Sequence, residues 1–202
     1  MNQDSLFCTM FGKAIDSEPL SSENLKKINE KLNLPIFLKE LLHSDGFGGY
    51  ADDFLWTCDP TYLMNFTQNA ISSDYSAIPF MRTSFGDIIF YLRKDNTDIF
   101  HFCALNFRHR ELVHLFNGSC EDFFNTILTE YGFLFHKLKI NLDLYWFTFE
   151  KLGAADRNSC YGYITEPADG GKDCPENITK YIVSEYFEKA SAMIKTPLGI
   201  HI

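Results

Sequence analysis

The chain has 202 residues, 46% of them hydrophobic and 16% aromatic, and carries a formal net charge of −9. That length and apolar content suffice for a sizeable core in one large domain or two small fused ones, and they exclude an intrinsically disordered chain. The acidic balance argues against a nucleic-acid-binding surface, and no apolar run approaches the ~18 residues that would span a bilayer.

The opening MNQDSLFCTMFGKAID has neither a basic region nor a long apolar stretch, so no secretory signal is read and a cytoplasmic location is expected. Ser21 precedes Leu25, Ile28 and Leu32, which recur at helical spacing, and it serves as the N-cap. Pro35 opens a second helix, Ile36 to His43, with Leu38, Leu41 and Leu42 on its apolar side and Asp45-Gly46 as its stop. Next comes HSDGFGGYADDFLWTCDP, from His43 to Pro60. It reads as a sharp turn on positive-φ glycines that leads into a strand over Phe54 to Cys58. Asp59 caps a third helix with Pro60 in its first turn and Tyr62, Leu63 and Phe66 on its buried side.

Four apolar, aromatic and β-branched runs follow: Ile78 to Thr83, Asp87 to Leu92, Ile99 to Asn106 and Glu111 to Phe116. Short turns at 84–86, 94–98 and 108–110 make them an antiparallel meander. Ser119 to Asp122 resembles a capping box before an apolar stripe of Phe123, Phe124, Ile127, Leu128 and Tyr131, which Gly132 should stop. A helix is expected from Leu142 to Leu152, ended by Gly153. Another is expected from Pro175, with Ile178, Ile182, Tyr186 and Ala190 on one face. Between them lies a long acidic loop that carries Tyr161-Gly162-Tyr163 and Gly170-Gly171.

Several chemistries find little support. Gly46, Gly48 and Gly49 fit neither G-x-G-x-x-G nor a P-loop, and they lead from helix to strand, the reverse of a phosphate loop. Asp45, Asp52 and Asp53 lack calcium-loop spacing. The six cysteines, Cys8, Cys58, Cys103, Cys120, Cys160 and Cys174, form no C-x-x-C pair and read as reduced, mostly buried thiols. His101-x-Cys103 and His109-x4-His114 come nearest to metal pairs. Positions two apart on a strand face one side, but no third or fourth ligand can be named. No nucleophile elbow or family cysteine signature is present. No catalytic, metal or cofactor residue is therefore assigned, and no cofactor is expected.

A series of short motifs occurs in order along the chain. Leu34-Pro35 and an amphipathic helix precede Gly46-Phe47-Gly48-Gly49-Tyr50, then Trp56, then Asp59-Pro60. Arg82-Thr83-Ser84-Phe85-Gly86-Asp87 begins the second part, followed by Leu152-Gly153, Tyr161-Gly162-Tyr163, Pro167 and Gly170-Gly171. This series resembles a bacterial family that joins a GAD-like N-terminal module to a C-terminal domain of immunity proteins against type VI secretion nuclease toxins. The chain departs from the family at Ala168-Asp169, which is short and acidic where relatives carry an apolar run.

The resemblance implies modules at 1–75 and 76–202 that share one continuous core with a seam near residue 75. It also implies a non-enzyme that acts in the cytoplasm and silences a cognate toxin, a basic DNase, by occluding its active site. The expected architecture is α+β, with a largely antiparallel central sheet and helices packed around it. From Glu40 to Met81 the sequence has no Lys or Arg. The residues expected to face the toxin are Asp45, Asp52, Asp53, Asp59 and Asp74 from that run, and Glu166, Asp169 and Asp173 from the long loop. No nucleic-acid or membrane partner is expected. The competing readings are a cysteine/histidine-dependent hydrolase and a scaffold without a toxin partner.

Overall fold

Caps and punctuation set the helices of the first third. A computed structural model of the chain describes residues 6–71, 76–93 and 100–199. Helix α1 (Leu6–Phe11) leads to strand β1 (Ile15–Glu18). Helix α2 (Ser22–Leu32) begins where the Ser21 hydroxyl accepts from the Asn24 N–H, and it ends at Asn33, which sits in the left-handed region. Helix α3 (Ile36–Ser44) starts after Pro35 and buries Leu38, Leu41 and Leu42.

The glycine stretch is a strand as well as a turn. Gly46 takes φ +67, but Gly48 and Gly49 lie in β2 (Phe47–Tyr50), which pairs with β1 and with β3 (Leu55–Thr57). Close packing calls for these two glycines: a Cβ on Gly49 would come within 2.9 Å of the Trp56 ring, and one on Gly48 within 2.7 Å of Ala14. The left-handed residues come after β2, at Ala51, Asp52 and Asp53, with φ of 61°, 49° and 64°. Asp59 then caps α4 (Pro60–Thr67), its carboxylate accepting from the Thr61 N–H at 2.8 Å. Leu63 is buried there, whereas Tyr62 is exposed, contrary to the amphipathic reading.

The meander is longer than the four strands legible in the sequence. Strands β4 (Ser76–Thr83), β5 (Ile88–Arg93), β6 (Phe100–Asn106) and β7 (Glu111–Gly118) continue from β3, giving one seven-stranded antiparallel sheet in the order β1 to β7. Pro79 is tolerated mid-strand because the β4–β5 register slips between it and Met81. The expected turn at 94–98 and the seam near residue 75 lie outside the described residues.

Gly132 does not stop a helix. Helix α5 (Cys120–Asp122) passes into a π-helical turn over Phe123–Ile127, and Gly132 lies within α6 (Tyr131–Lys137). Helix α7 (Leu142–Leu152) has the expected limits, with Asn141 as its cap and Gly153 as its end. The expected final helix divides: a short 3-10 turn at Pro175–Asn177 precedes β9 (Ile178–Ile182), and only then does α8 (Val183–Ala192) begin. The i, i+4 spacing of Ile178, Ile182 and Tyr186 mimics a helix, but Ile-Thr-Lys-Tyr-Ile favours a strand, and β8 (Ser159–Tyr163) supplies its partner.

Side chains alternate between two cores across the sheet. Phe80, Ile89, Tyr91, Phe102 and Ala104 join the side of α1, α3, α6 and α7, where Phe102 stacks on Phe123 at 4.2 Å. Ile88, Phe90, Leu92, Cys103 and Leu105 meet α4 and α8. Both faces are covered, which is why these strands read as nearly unbroken apolar runs. Among the described residues this is an α+β fold of a seven-stranded antiparallel sheet with eight helices around it. No helix among them is long and apolar enough to cross a membrane.

The recognisable motifs lock the sheet to β8, β9 and α8. Arg82, fully buried, donates to the carbonyls of Asp156, Arg157 and Ser159 and lies 5.4 Å from the Trp56 ring centroid. The Arg108 guanidinium reaches both Asp87 oxygens at 3.0 Å and the Leu138 carbonyl at 2.9 Å. Gly86 and Gly162 grip opposite edges of the Tyr186 ring: a Cβ on the first would fall 2.3 Å from Cε1, and on the second 2.6 Å from Cε2.

Candidate functional site

The three left-handed residues after β2 form a turn held from two sides. The Trp56 indole N–H donates to the Asp53 carbonyl at 2.7 Å, and the Tyr145 hydroxyl donates to the Asp52 carbonyl at 2.7 Å. Both anchors use backbone oxygens, and among the described residues no hydrogen bond reaches either carboxylate. Asp52 is exposed and Asp53 half-buried. Partial burial, then the neighbouring charges of Asp52 and Asp156, raises the Asp53 carboxyl above the ordinary range, against the pull of Lys180.

Tyr145 belongs to α7, and the outer side of that helix is apolar. Leu144, Tyr145 and Thr148 point inward, while Leu142, Trp146 and Phe147 are 51%, 41% and 59% exposed. Leu142 and Trp146, at i and i+4, share a side of the helix, and Phe147 stands about 100° further round, so the three spread across its outward half. Asp143 and Glu150 are exposed beside them. The acidic turn and the aromatic side are tied together by the Tyr145–Asp52 hydrogen bond. This arrangement of apolar centre and charged margin has the anatomy of a protein-binding surface.

The other acidic residues expected to face a partner separate into groups. Asp45 is buried, where it accepts from the Tyr50 hydroxyl at 2.9 Å and the Ala14 N–H, so it is not free to face a partner. Asp59 is occupied as the cap of α4. Glu166 is only 3% exposed, 3.8 Å from the Lys189 ammonium, and burial raises its carboxyl. Asp169 is exposed and pairs with Arg110, and Asp173 accepts from the Tyr163 hydroxyl at 2.6 Å. Asp74 lies outside the described residues. The structure thus brings Asp52 and Asp53 together with an apolar surface. The sequence reading missed Leu142, Trp146 and Phe147, although their apolar side chains interrupt the polar face that an ordinary surface helix would show.

The cysteines are free thiols, buried or half-buried, as the sequence implied. His101 and Cys103 do share a side of β6, but Cys103 is 1% exposed and burial pushes its thiol up to about 12. Burial likewise pushes Cys120 and Cys160 up to about 12. Among the described residues no group of three or more His, Cys, Asp or Glu side chains is placed to hold a metal ion. A hollow of about 610 Å³ is lined by Lys31, Asn33, Met64 and Arg93, remote in sequence from the acidic turn, and the Arg93 guanidinium there engages Asn33.

These features describe an α+β protein with a long antiparallel meander and a candidate protein-docking surface at α7. Residues 3–101 match the family model of the GAD-like domain, so the chain carries a GAD-like domain that ends in β6. No curated protein matches the chain. Among solved structures, the crystal structure of Atu4351 from Agrobacterium tumefaciens is similar, with a TM-score of 0.69 and 14% identity over 95% of this chain and 88% of that one. At that identity the likeness is one of fold.

Proposed function

We propose that this protein is an antibacterial immunity protein, which binds a cognate type VI secretion toxin in the cytoplasm of the producing cell and covers its active site. The observation that carries this reading is α7, which exposes Leu142, Trp146 and Phe147 and whose buried Tyr145 anchors the Asp52–Asp53 turn. A DNase holds a polyanionic substrate and needs a cationic groove for it. Outward carboxylates around an aromatic centre complement such a groove in charge and supply the buried anchors that dominate interface energetics. The ordered GAD-like and RTSFGD-to-GG motif series, which resembles that of immunity proteins, supports the same reading. A cysteine hydrolase receives less support, because the buried thiols of Cys103, Cys120 and Cys160 are pushed toward protonation, the reverse of an activated nucleophile.

The test uses the purified protein with the product of the toxin gene next to its own. The expected result is a stoichiometric complex in which nuclease activity on DNA is silent, with Trp146→Ala weakening binding and the fold intact by circular dichroism. A toxin that stays fully active in the presence of excess protein overturns the function. A silent toxin whose binding is indifferent to Trp146→Ala and Phe147→Ala overturns the surface.

A further inference from the structure

The last pair of the sheet contains a register slip with a chemical result. His101 pairs with Asn117 and Phe102 with Phe116, but Cys103 pairs with His114, which leaves Leu115 as an extra residue in β7. On a regular strand, residues 114 and 117 are three apart and point to opposite faces. The bulge re-aims His114, as such insertions do, so that its ring joins the His101 ring and the Asn117 amide on one side. His101 Nδ1 and His114 Nε2 each lie 2.7 Å from one atom, Asn117 Oδ1, and the two ring centroids are 6.5 Å apart.

We propose that this trio is a binding site for a divalent transition-metal ion of the zinc type, held by His101 Nδ1 and His114 Nε2, with Asn117 Oδ1 and water completing the shell. Two imidazole nitrogens from adjacent strands converge on a single point, so little ordering remains for binding to accomplish. A zinc ion stands about 2.0–2.1 Å from an imidazole nitrogen. It takes the place where the amide oxygen bridges now if Asn117 rotates aside and each ring nitrogen closes from 2.7 Å by about 0.6–0.7 Å. Each ring offers a lone pair at the convergence point once its N–H resides on the other nitrogen, a tautomer change within neutral imidazole. Imidazole suits zinc, copper and nickel, and the chain's net charge of −9 favours any cation. Cys103 lies opposite His114 in register, but its buried, protonated thiol stays out of the donor set. Two imidazoles and an amide make an open site, weaker than a closed four-ligand centre, with positions left for water. A bound ion would staple the sheet-edge strand β7 to β6.

The test is calorimetric titration of ZnCl2 into the tag-free full chain. One saturable site per chain is expected, with a rise in the thermal midpoint when zinc is present. His101→Ala or His114→Ala should each weaken it at least about tenfold, since even outer-shell losses at metal sites cost about that much. His43→Ala and His136→Ala, at exposed positions elsewhere, should leave it unchanged. Asn117→Asp replaces the amide by a carboxylate and should tighten the site, a gain that misfolding cannot mimic. No saturable site, a site that survives both histidine substitutions, or Asn117→Asp without tighter binding overturns the proposal.

Discussion

Two acidic turns of this molecule use their carboxylates in opposite ways. At 83–87, Asp87 is fully buried, receives the Thr83 hydroxyl at 2.8 Å and faces the Arg108 guanidinium, so its charge is neutralised within the fold. At 51–53 the backbone oxygens take the internal hydrogen bonds, and the Asp53 carboxylate feels the like charges of Asp52 and Asp156 more than the pull of Lys180. The first turn belongs to a recognisable motif and closes the core. The second lies between motifs and turns outward. A motif that recurs in a fold can thus mark what holds it together, while the surface available to a partner sits between such motifs.

The strongest way to break the comparison is to remove the internal counter-charge. Asp87→Ala leaves Arg108 buried and unpaired, which should cost about 3–5 kcal/mol in denaturant unfolding. Asp87→Leu combined with Arg108→Met should recover most of that loss. Gly86→Ala attacks the same region through shape. With φ +76 and a Cβ placed 2.3 Å from the Tyr186 ring, it should cost about 3 kcal/mol or more by the same measurement. Stability at least equal to the parent in either single variant would mean that these motifs do not lock the fold.

On the outward side the effects should fall on binding. Trp146→Ala should weaken the toxin complex by about 2 kcal/mol in calorimetry. The same change should move unfolding stability by no more than about 0.5 kcal/mol, as a surface substitution does. Asp52→Lys with Asp53→Lys should slow association and flatten its salt dependence in stopped-flow mixing, with a smaller change in dissociation. The smallest effect concerns Asp53→Asn. The folded Asp53 carboxyl is raised, so between its unfolded and folded values the native state holds more protons and stability falls as pH rises. Removing the charge should therefore raise the unfolding midpoint slightly at neutral pH, and the gain should vanish in acid below the ordinary aspartate range. An equal gain at both ends would point to the left-handed backbone, which asparagine also tolerates well.

Much of the fold was legible because local chemistry decided it. Ser21, Asp59, Ser119 and Gly153 cap or end helices where their side chains or conformations say they should. What was misread depended on distant partners. Gly48 and Gly49 look like turn residues until Ala14 and Trp56 are seen against them, and Ile178 to Ile182 looks helical until β8 is beside it. Among the candidate residues, Asp52 and Asp53 were legible as charge, whereas the burial of Asp45 and Glu166 involves Ala14 and α8, distant in sequence. The side of α7 was missed because an apolar triplet on a helix reads as core, and only packing reveals which residues are left over.

The grip of Gly86 and Gly162 on Tyr186 has a consequence for timing during synthesis. Every strand of the large sheet pairs with its neighbour in sequence, so the sheet can assemble in order as the chain emerges. The wedge that fills the glycine cleft comes from α8, and about 93 residues separate it from the end of β5, roughly 5–20 s at ordinary elongation rates. For roughly the first two thirds of that interval Arg82 lacks the carbonyls at 156–159 and the cleft lacks its Gly162 wall, and until Tyr186 follows the cleft stays unfilled. A nascent chain is therefore a sheet awaiting its key. Any message cut short before α8 yields a product that proteases should clear before it can occupy a partner unproductively.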